Sequence, residues 1–154
     1  AVNWIFKVQN FYNNLNFSNL KNVPGVLEYP HLGAYLWAFF WKISFINQEY
    51  TGRIVYFFIY LLSIFSLSSF IKLNVVKKIF LLGFLIFVSY DSILFSGYQE
   101  PLLFSLCLIF VIILNKFQKE NSKFYLCILI LVSNLIIWTK NEGMFLIILL
   151  SIII

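Results

Sequence analysis

The chain has 154 residues, of which 62% are hydrophobic and 11% charged, with a formal net charge of +5 at pH 7. This balance lies outside that of ordinary soluble domains, which need many more charged side chains to cover their surface. The lysines are spread between apolar segments and not gathered on one face, which argues against nucleic acid as a partner. The composition predicts an integral membrane protein whose partner is the lipid bilayer.

Residues 1–31 precede the first long apolar segment and are predicted to form an outer loop. They are rich in Asn, carry a turn signal at Pro24-Gly25 and include a short predicted helix over residues 4–12. They lack the charged and apolar regions of a signal peptide. Because the chain starts without Met and ends within an apolar run, we interpret it as an internal fragment.

Residues 32–46 form a short apolar and aromatic segment that contains Lys42. Tyr35, Trp37 and Trp41 favour the headgroup region of a bilayer. This segment is predicted to be a helix lying in, or entering, the outer interface, with a full crossing as the alternative.

The remaining apolar segments approach the length of membrane-spanning helices. A helix needs roughly 20 residues, with about 17 to 25 tolerated, to cross the hydrocarbon core. The predicted fold class is all-α, a polytopic transmembrane helical bundle with about four to five spans plus the outer interfacial helix. The predicted transmembrane helices cover residues 54–71, 79–95, 101–115 and 124–139, with the start of the next span at 144–154.

The loops between these spans alternate in charge. The loop after the first span contains Lys72, Lys77 and Lys78, and the loop after the third also has a lysine excess. Lysine-rich loops are typical of the cytoplasmic side of a membrane. The segments 91–100 and 140–143 are therefore predicted on the outer side, as are the residues up to Arg53.

The first polar cluster on the outer side is Glu28-Tyr29-Pro30-His31. Glu28 and His31 are both metal-ligand types, and both exchange protons, so they suit a metal site or acid–base chemistry. The alternative is a polar loop end where Pro30 starts the next helix.

The second cluster is Ser96-Gly97-Tyr98-Gln99-Glu100-Pro101, with Pro101 in the first turn of a predicted helix and Glu100 directly before it. A carboxylate at this position meets the positive end of the helix dipole, so a purely structural role is the alternative to a functional one. Charged residues at a membrane border are costly without such a partner or a task.

The third cluster, residues 139–143, contains Lys140 and Glu142. The ammonium group of Lys140 would be held at outer headgroup depth, where it suits a lipid phosphate or pyrophosphate. The alternative is a short turn in which both charged side chains extend to water.

Taken in order, these clusters resemble the landmarks of the GT-C superfamily, polytopic glycosyltransferases that take sugars from polyprenyl-phosphate carriers. The resemblance is to members of the protein mannosyltransferase and aminoarabinose transferase type. In that superfamily a Tyr-Pro-Pro-Leu or Glu-Lys-Pro motif precedes an aromatic helix, and an Arg opens the next span. Further along the chain, an acidic residue precedes Pro at the start of a helix. A Thr-Lys-x-Glu-Gly motif then follows. The positions here that are similar to those motifs are 28–32, Arg53, Glu100-Pro101 and 139–143.

Members of the superfamily also open the first outer loop with a catalytic Asp, often as Asp-Ala-x-x-x-Trp with a Lys a few positions later. Ala1, Trp4 and Lys7 resemble the remainder of this motif, with the spacing one residue short. The resemblance therefore implies that the catalytic Asp directly precedes Ala1.

The resemblance implies inverting transfer on the outer face. The Asp deprotonates the acceptor, which attacks the anomeric carbon and expels the lipid phosphate. The implied contacts to that phosphate come from Lys140, Arg53, Tyr29 and Glu142. Tyr29 stands where the Glu-Lys-Pro subgroup has Lys.

The resemblance further implies a lipid-linked sugar as donor and an acceptor whose identity is open. The residues expected to position the acceptor or to bind a divalent metal are Glu28, His31 and Glu100. The expected location is a bacterial inner membrane, with the site facing the periplasm or the outside.

Two other functions stay open from the sequence. A transporter or permease subunit would place ionisable residues near the bilayer midplane, whereas here they lie at the borders of the spans. A membrane protein that serves assembly without catalysis is the third possibility, because short motifs match by chance.

Overall fold

The computed structural model describes residues 2–14, 30–89 and 98–153. In these ranges the chain forms seven α-helices and no strands, which confirms the all-α prediction. The elements are α1 (Val2–Tyr12), α2 (Leu32–Ile43), α3 (Tyr50–Phe70), α4 (Val75–Ser89), α5 (Glu100–Glu120), α6 (Lys123–Thr139) and α7 (Gly143–Ile153).

Helices α3 and α5 are long and apolar enough to cross a membrane. Each has 21 residues, so at 1.5 Å per residue each is about 30 Å long, the thickness of a hydrocarbon core. Helices α6 and α7 are apolar but shorter, with 17 and 11 residues. Part of the predicted span 79–95 lies beyond Ser89, outside the described residues.

The end of α5 differs from the prediction. The predicted spans 101–115 and 124–139 leave Lys116, Lys119 and Glu120 in a loop, but these residues lie in the last turns of the helix. Lysine and glutamate are good helix formers, and the helix stops only where Asn121 adopts a left-handed conformation, with φ 46°. The side chain of Ser122 then accepts a hydrogen bond from the backbone N–H of Phe124, which starts α6.

Helices α3 and α5 run parallel, with α4 joining them in the chain. Tyr60 of α3 lies beside Phe104 near the start of α5, with ring centroids 6.1 Å apart. Near the other end, Nζ of Lys119 lies 5.6 Å from the centroid of the Phe70 ring. We call the two ends of this helix pair the Glu100 end and the Lys119 end.

The main core lies between α1, α2, α3, α5 and α6. Its largest fully buried apolar side chains include Trp37, Tyr56 and Phe110. A Cβ added at Gly52 would lie 2.2 Å from the backbone oxygen of Trp37, so glycine at this position permits the close contact of α2 with α3.

The outward surface of the helices is strongly apolar. On α4, Val76, Phe80 and Phe87 are 74%, 78% and 80% exposed. Large exposed apolar areas mark surfaces that contact lipid or another protein. This surface agrees with the membrane class indicated by the composition.

Candidate functional site

The second and third predicted clusters meet at the Glu100 end. Nζ of Lys140, directly after α6, donates a hydrogen bond to Oε1 of Glu100 at 2.9 Å. The second carboxylate near Lys140, that of Glu142, lies 3.6 Å away. The hydrogen bond from Lys140 to Glu100 raises the pKa of the lysine, against the opposing effect of its partial burial. Lys140 therefore stays an ammonium ion at the centre of two carboxylates.

The start of α2 contacts Gln99, the residue that directly precedes Glu100. This side chain is fully buried, and a Cβ added at Gly33 would lie 1.2 Å from its Oε1 atom. Nε2 of Gln99 donates to Oη of Tyr56 at 3.0 Å, and Oη of Tyr56 donates to the backbone oxygen of Gly33 at 2.6 Å. The resulting Gly33–Tyr56–Gln99 network joins α2, α3 and the residue that precedes Glu100.

Arg53 lies at the start of α3, but its guanidinium is held by other residues. Nε of Arg53 donates to Oε1 of Glu49 at 2.8 Å, and a second contact joins Nη2 to the other carboxylate oxygen. The guanidinium also lies 5.0 Å from the centroid of the Trp37 ring, and Nε1 of Trp37 donates to the backbone oxygen of Glu49. The carboxylate of Glu49 thus partly neutralises the charge of Arg53, which lies one turn before Tyr56 in α3.

His31 directly precedes α2 and packs edge-on against Phe11 of α1, with ring centroids 6.0 Å apart. Burial, followed by the positive charge of Lys7, lowers the pKa of His31. Lys7 is itself 1% exposed, and burial lowers its pKa to about 8. Two side chains whose pKa values are lowered by burial therefore lie together beside the start of α2.

The structure describes only some of the other predicted site residues. Glu28 and Tyr29 lie outside the described residues. Within 2–14, 30–89 and 98–153, no three His, Cys, Asp or Glu side chains form a group that could hold a metal ion. We therefore assign no step to a metal ion.

Gln99 belongs to the second predicted cluster, but its burial and its network with Tyr56 and Gly33 were not predicted from the sequence. The signals available were the position of Gln99 beside Glu100 and a glycine near the start of an apolar helix at Gly33, which often marks a close approach. Sequence reasoning also missed Glu49 as the partner of Arg53, although a spacing of four residues on a helix is typical of an ion pair.

No protein-family model, curated protein or solved structure matches this chain. The strongest local feature is the meeting of Glu100, Lys140 and Gln99 at one end of the bundle.

Proposed function

We propose that the chain belongs to a membrane glycosyltransferase that moves a sugar from a polyprenyl-phosphate carrier to an acceptor on the outer face of the membrane. The observation that carries this proposal is the contact between Glu100 and Lys140. It joins two motifs that are far apart in the sequence and leaves an ammonium ion at a helix start, where a phosphate is also favoured.

In the proposed reaction, the acceptor hydroxyl or amine attacks the anomeric carbon, and the bond from that carbon to the carrier phosphate oxygen breaks. The electron pair moves to the phosphate oxygen, and the acceptor proton moves to a carboxylate base, proposed as an Asp directly before Ala1. Lys140 donates hydrogen bonds to the leaving phosphate as its charge develops. Glu100 and Glu142 hold the ammonium in position.

The remaining predicted residues take supporting roles. His31 and Glu100, with Glu28, position the acceptor. Arg53 supplies a second cation to the donor phosphate if its contact with Glu49 opens, and Tyr29 contacts the same phosphate. The membrane topology proposed with this site has α4 and α6 crossing the bilayer together with α3 and α5, and α7 starting the next span.

A transfer assay tests the function. Membranes that contain the full-length protein are given labelled polyprenyl-phosphate sugars, and transfer to endogenous acceptors is measured. Replacing Lys140 by Gln is expected to lower the rate about a hundredfold, the usual effect of losing one donor to a developing oxyanion. Glu100→Gln is expected to lower it less, because Glu142 still holds the ammonium ion.

Matched controls lie at the opposite end of the bundle. Lys123→Gln and Glu120→Gln remove the same charges there and should leave the transfer rate unchanged. Normal rates in both Lys140→Gln and Glu100→Gln would refute the assignment of the site. Ion-gradient-dependent uptake without any sugar transfer would instead favour a transporter.

Reading the parent gene upstream of Ala1 tests the proposed base. An Asp directly before Ala1 is expected. If no acidic residue lies within the preceding few positions, the mechanism has no base.

Cysteine labelling tests the topology. In a protein that carries Cys107→Ala and Cys127→Ala, the single substitutions Asn141→Cys and Ser122→Cys are introduced. A membrane-impermeant maleimide added to intact cells should label position 141, and position 122 should react only after permeabilisation. Labelling of both positions from the same side would contradict a crossing by α6.

A further inference from the structure

A groove lies between α3 and α5 toward the Lys119 end, away from the candidate site. Its volume is about 510 Å³, within the range of about 300–1,000 Å³ that is typical of small-molecule sites. The apolar lining comes from Leu62, Phe65, Phe70 and Ile112. Ser66, Ser69 and Lys116 provide the polar lining. The groove thus combines an apolar surface with hydroxyl groups and a cation.

Three ammonium groups from two helices lie around this groove. Nζ of Lys78 on α4 lies 3.4 Å from Oγ of Ser69, and Nζ of Lys119 lies 5.6 Å from the centroid of the Phe70 ring. Lys116 lines the groove itself. None of these lysines forms a salt bridge with any residue in the described part of the chain. Glu120, the last residue of α5, adds one negative charge at this end, so three lysines against one glutamate still give an excess of positive charge.

The negative end of the α3 dipole does not by itself balance the positive charge of these lysines. The C-terminus of a helix carries only about half a negative elementary charge. Two of the last backbone carbonyls of α3 already accept hydrogen bonds. The carbonyl of Ser68 accepts from the backbone N–H of Leu73, and that of Ser69 accepts from the backbone N–H of Lys72. The three lysine ammonium groups around the end of α3 therefore keep a net positive charge that an external anion can balance.

We propose that the groove binds an anionic phospholipid from the leaflet at the Lys119 end. Lys78, Lys116 and the hydroxyl of Ser69 hold the lipid phosphate, and one acyl chain lies along Leu62 and Phe65. These two side chains are 64% and 50% exposed on a helix proposed to cross the bilayer, so the groove leads from the lysines into the hydrocarbon layer. An acyl chain fits that apolar part of the groove, whereas a free phosphate does not. Basic pockets between helices on the cytoplasmic side are a common arrangement for anionic headgroups.

This proposal rests on the proposed membrane topology and not on sugar transfer. The test uses the full-length protein purified in detergent, with native mass spectrometry to measure retention of added phosphatidylglycerol and phosphatidylcholine. The wild-type protein should retain phosphatidylglycerol preferentially. The double variant Lys78→Gln/Lys116→Gln should weaken phosphatidylglycerol binding by at least about tenfold, because two contacts to the headgroup are lost.

The matched control is Lys72→Gln/Lys77→Gln, which removes two charges from the same end of the bundle without altering the groove lining. It should change phosphatidylglycerol binding less than about twofold. Equal losses in the two double variants would overturn the proposal, because they would mean a general attraction to a basic surface.

A second variant tests the acyl-chain contact. Phe65→Ala should weaken phosphatidylglycerol binding while leaving all the lysines in place, and an unchanged affinity would overturn the lipid as the occupant. Displacement of the lipid by inorganic phosphate at equal concentration would also overturn it in favour of a free anion. Failure of lipid binding in a protein that still transfers sugar would reject this inference alone. Loss of transfer with normal lipid binding would reject the proposed function alone.

Discussion

Nζ of Lys140 lies 2.9 Å from Oε1 of Glu100, although forty positions separate the two residues in the sequence. The ion pair joins the end of α6 to the start of α5. Its side chains are 21% and 47% exposed, for Lys140 and Glu100 respectively. An ion pair with this much solvent contact contributes at most about 1 kcal/mol to stability.

The first prediction separates stability from activity at this pair. Lys140→Gln should lower the free energy of unfolding by no more than about 1 kcal/mol, but should abolish most of the sugar transfer. The exchanged variant Lys140→Glu/Glu100→Lys should regain the stability without regaining transfer, because its ammonium group then lies at position 100 and not at position 140. Thermal unfolding in detergent and the transfer assay measure the two effects. Recovery of transfer in the exchanged variant would indicate that the pair is only structural.

The pH dependence of this pair follows from the raised pKa of Lys140. A lysine whose pKa is higher in the folded state stabilises the fold below its ordinary pKa of 10.5 and loses that effect as pH rises through the raised value. Between pH 7 and 9 the wild-type protein and Lys140→Gln should therefore differ in melting temperature by a constant amount. A difference that disappears within this window would contradict the ion pair.

The second prediction concerns the contact of Gly33 with Gln99. Gly33→Ala should destabilise the fold by about 1–3 kcal/mol, because the new methyl group meets a fully buried, hydrogen-bonded side chain. Gly83→Ala on α4 is the matched control. A Cβ at Gly83 meets nothing within 4 Å, so alanine there should stabilise the helix by about 0.5–1 kcal/mol. Melting temperatures in one detergent compare the two, and equal shifts would contradict the close approach at Gly33.

The third prediction concerns the titration of His31, the only histidine in the chain. Lys7→Met removes a positive charge that lowers the pKa of His31, so this pKa should rise toward its ordinary value of 6.5 without reaching it, since burial stays the larger cause. NMR of the labelled imidazole, in a protein purified without a histidine tag, measures the change. No change in the titration would mean that Lys7 and His31 do not interact.

A lowered pKa of His31 also sets how stability changes with pH. The unfolded chain binds the imidazole proton more readily than the folded chain, so acidification below about pH 6.5 should destabilise the fold. His31→Gln should reduce this acid sensitivity in a thermal unfolding series from pH 7 to 5. A variant as sensitive to acid as the wild type would show that other groups are responsible.

The fourth prediction concerns the turn that ends α3. Lys72 has φ 55°, a left-handed conformation that costs least for glycine, and the backbone N–H groups of Lys72 and Leu73 complete the helix end. Lys72→Gly should therefore stabilise the protein by about 0.5–1 kcal/mol. Lys72→Ala removes the same charge and should give no such gain. Equal melting temperatures for the two variants would contradict the left-handed conformation.

Local sequence signals predicted the helices well where the apolar pattern was long. The long apolar segments 54–71 and 124–139 correspond to α3 and α6, and the short helix predicted over residues 4–12 lies within α1. The helix ends were less well predicted. Lys116 and Lys119 were interpreted as loop residues because they are charged, yet lysine is a good helix former and continues α5 to Glu120.

The sequence by itself determined the all-α class and predicted a membrane protein, because the need to remove apolar side chains from water depends on composition and does not depend on which residues meet. It also indicated Glu100 and Lys140 as residues of interest, since charges beside apolar segments are costly. Only the tertiary structure decided their partners. The contacts of Lys140 with Glu100 and of Gln99 with Gly33 depend on how α2, α5 and α6 pack, and packing across many residues leaves no local pattern in the sequence.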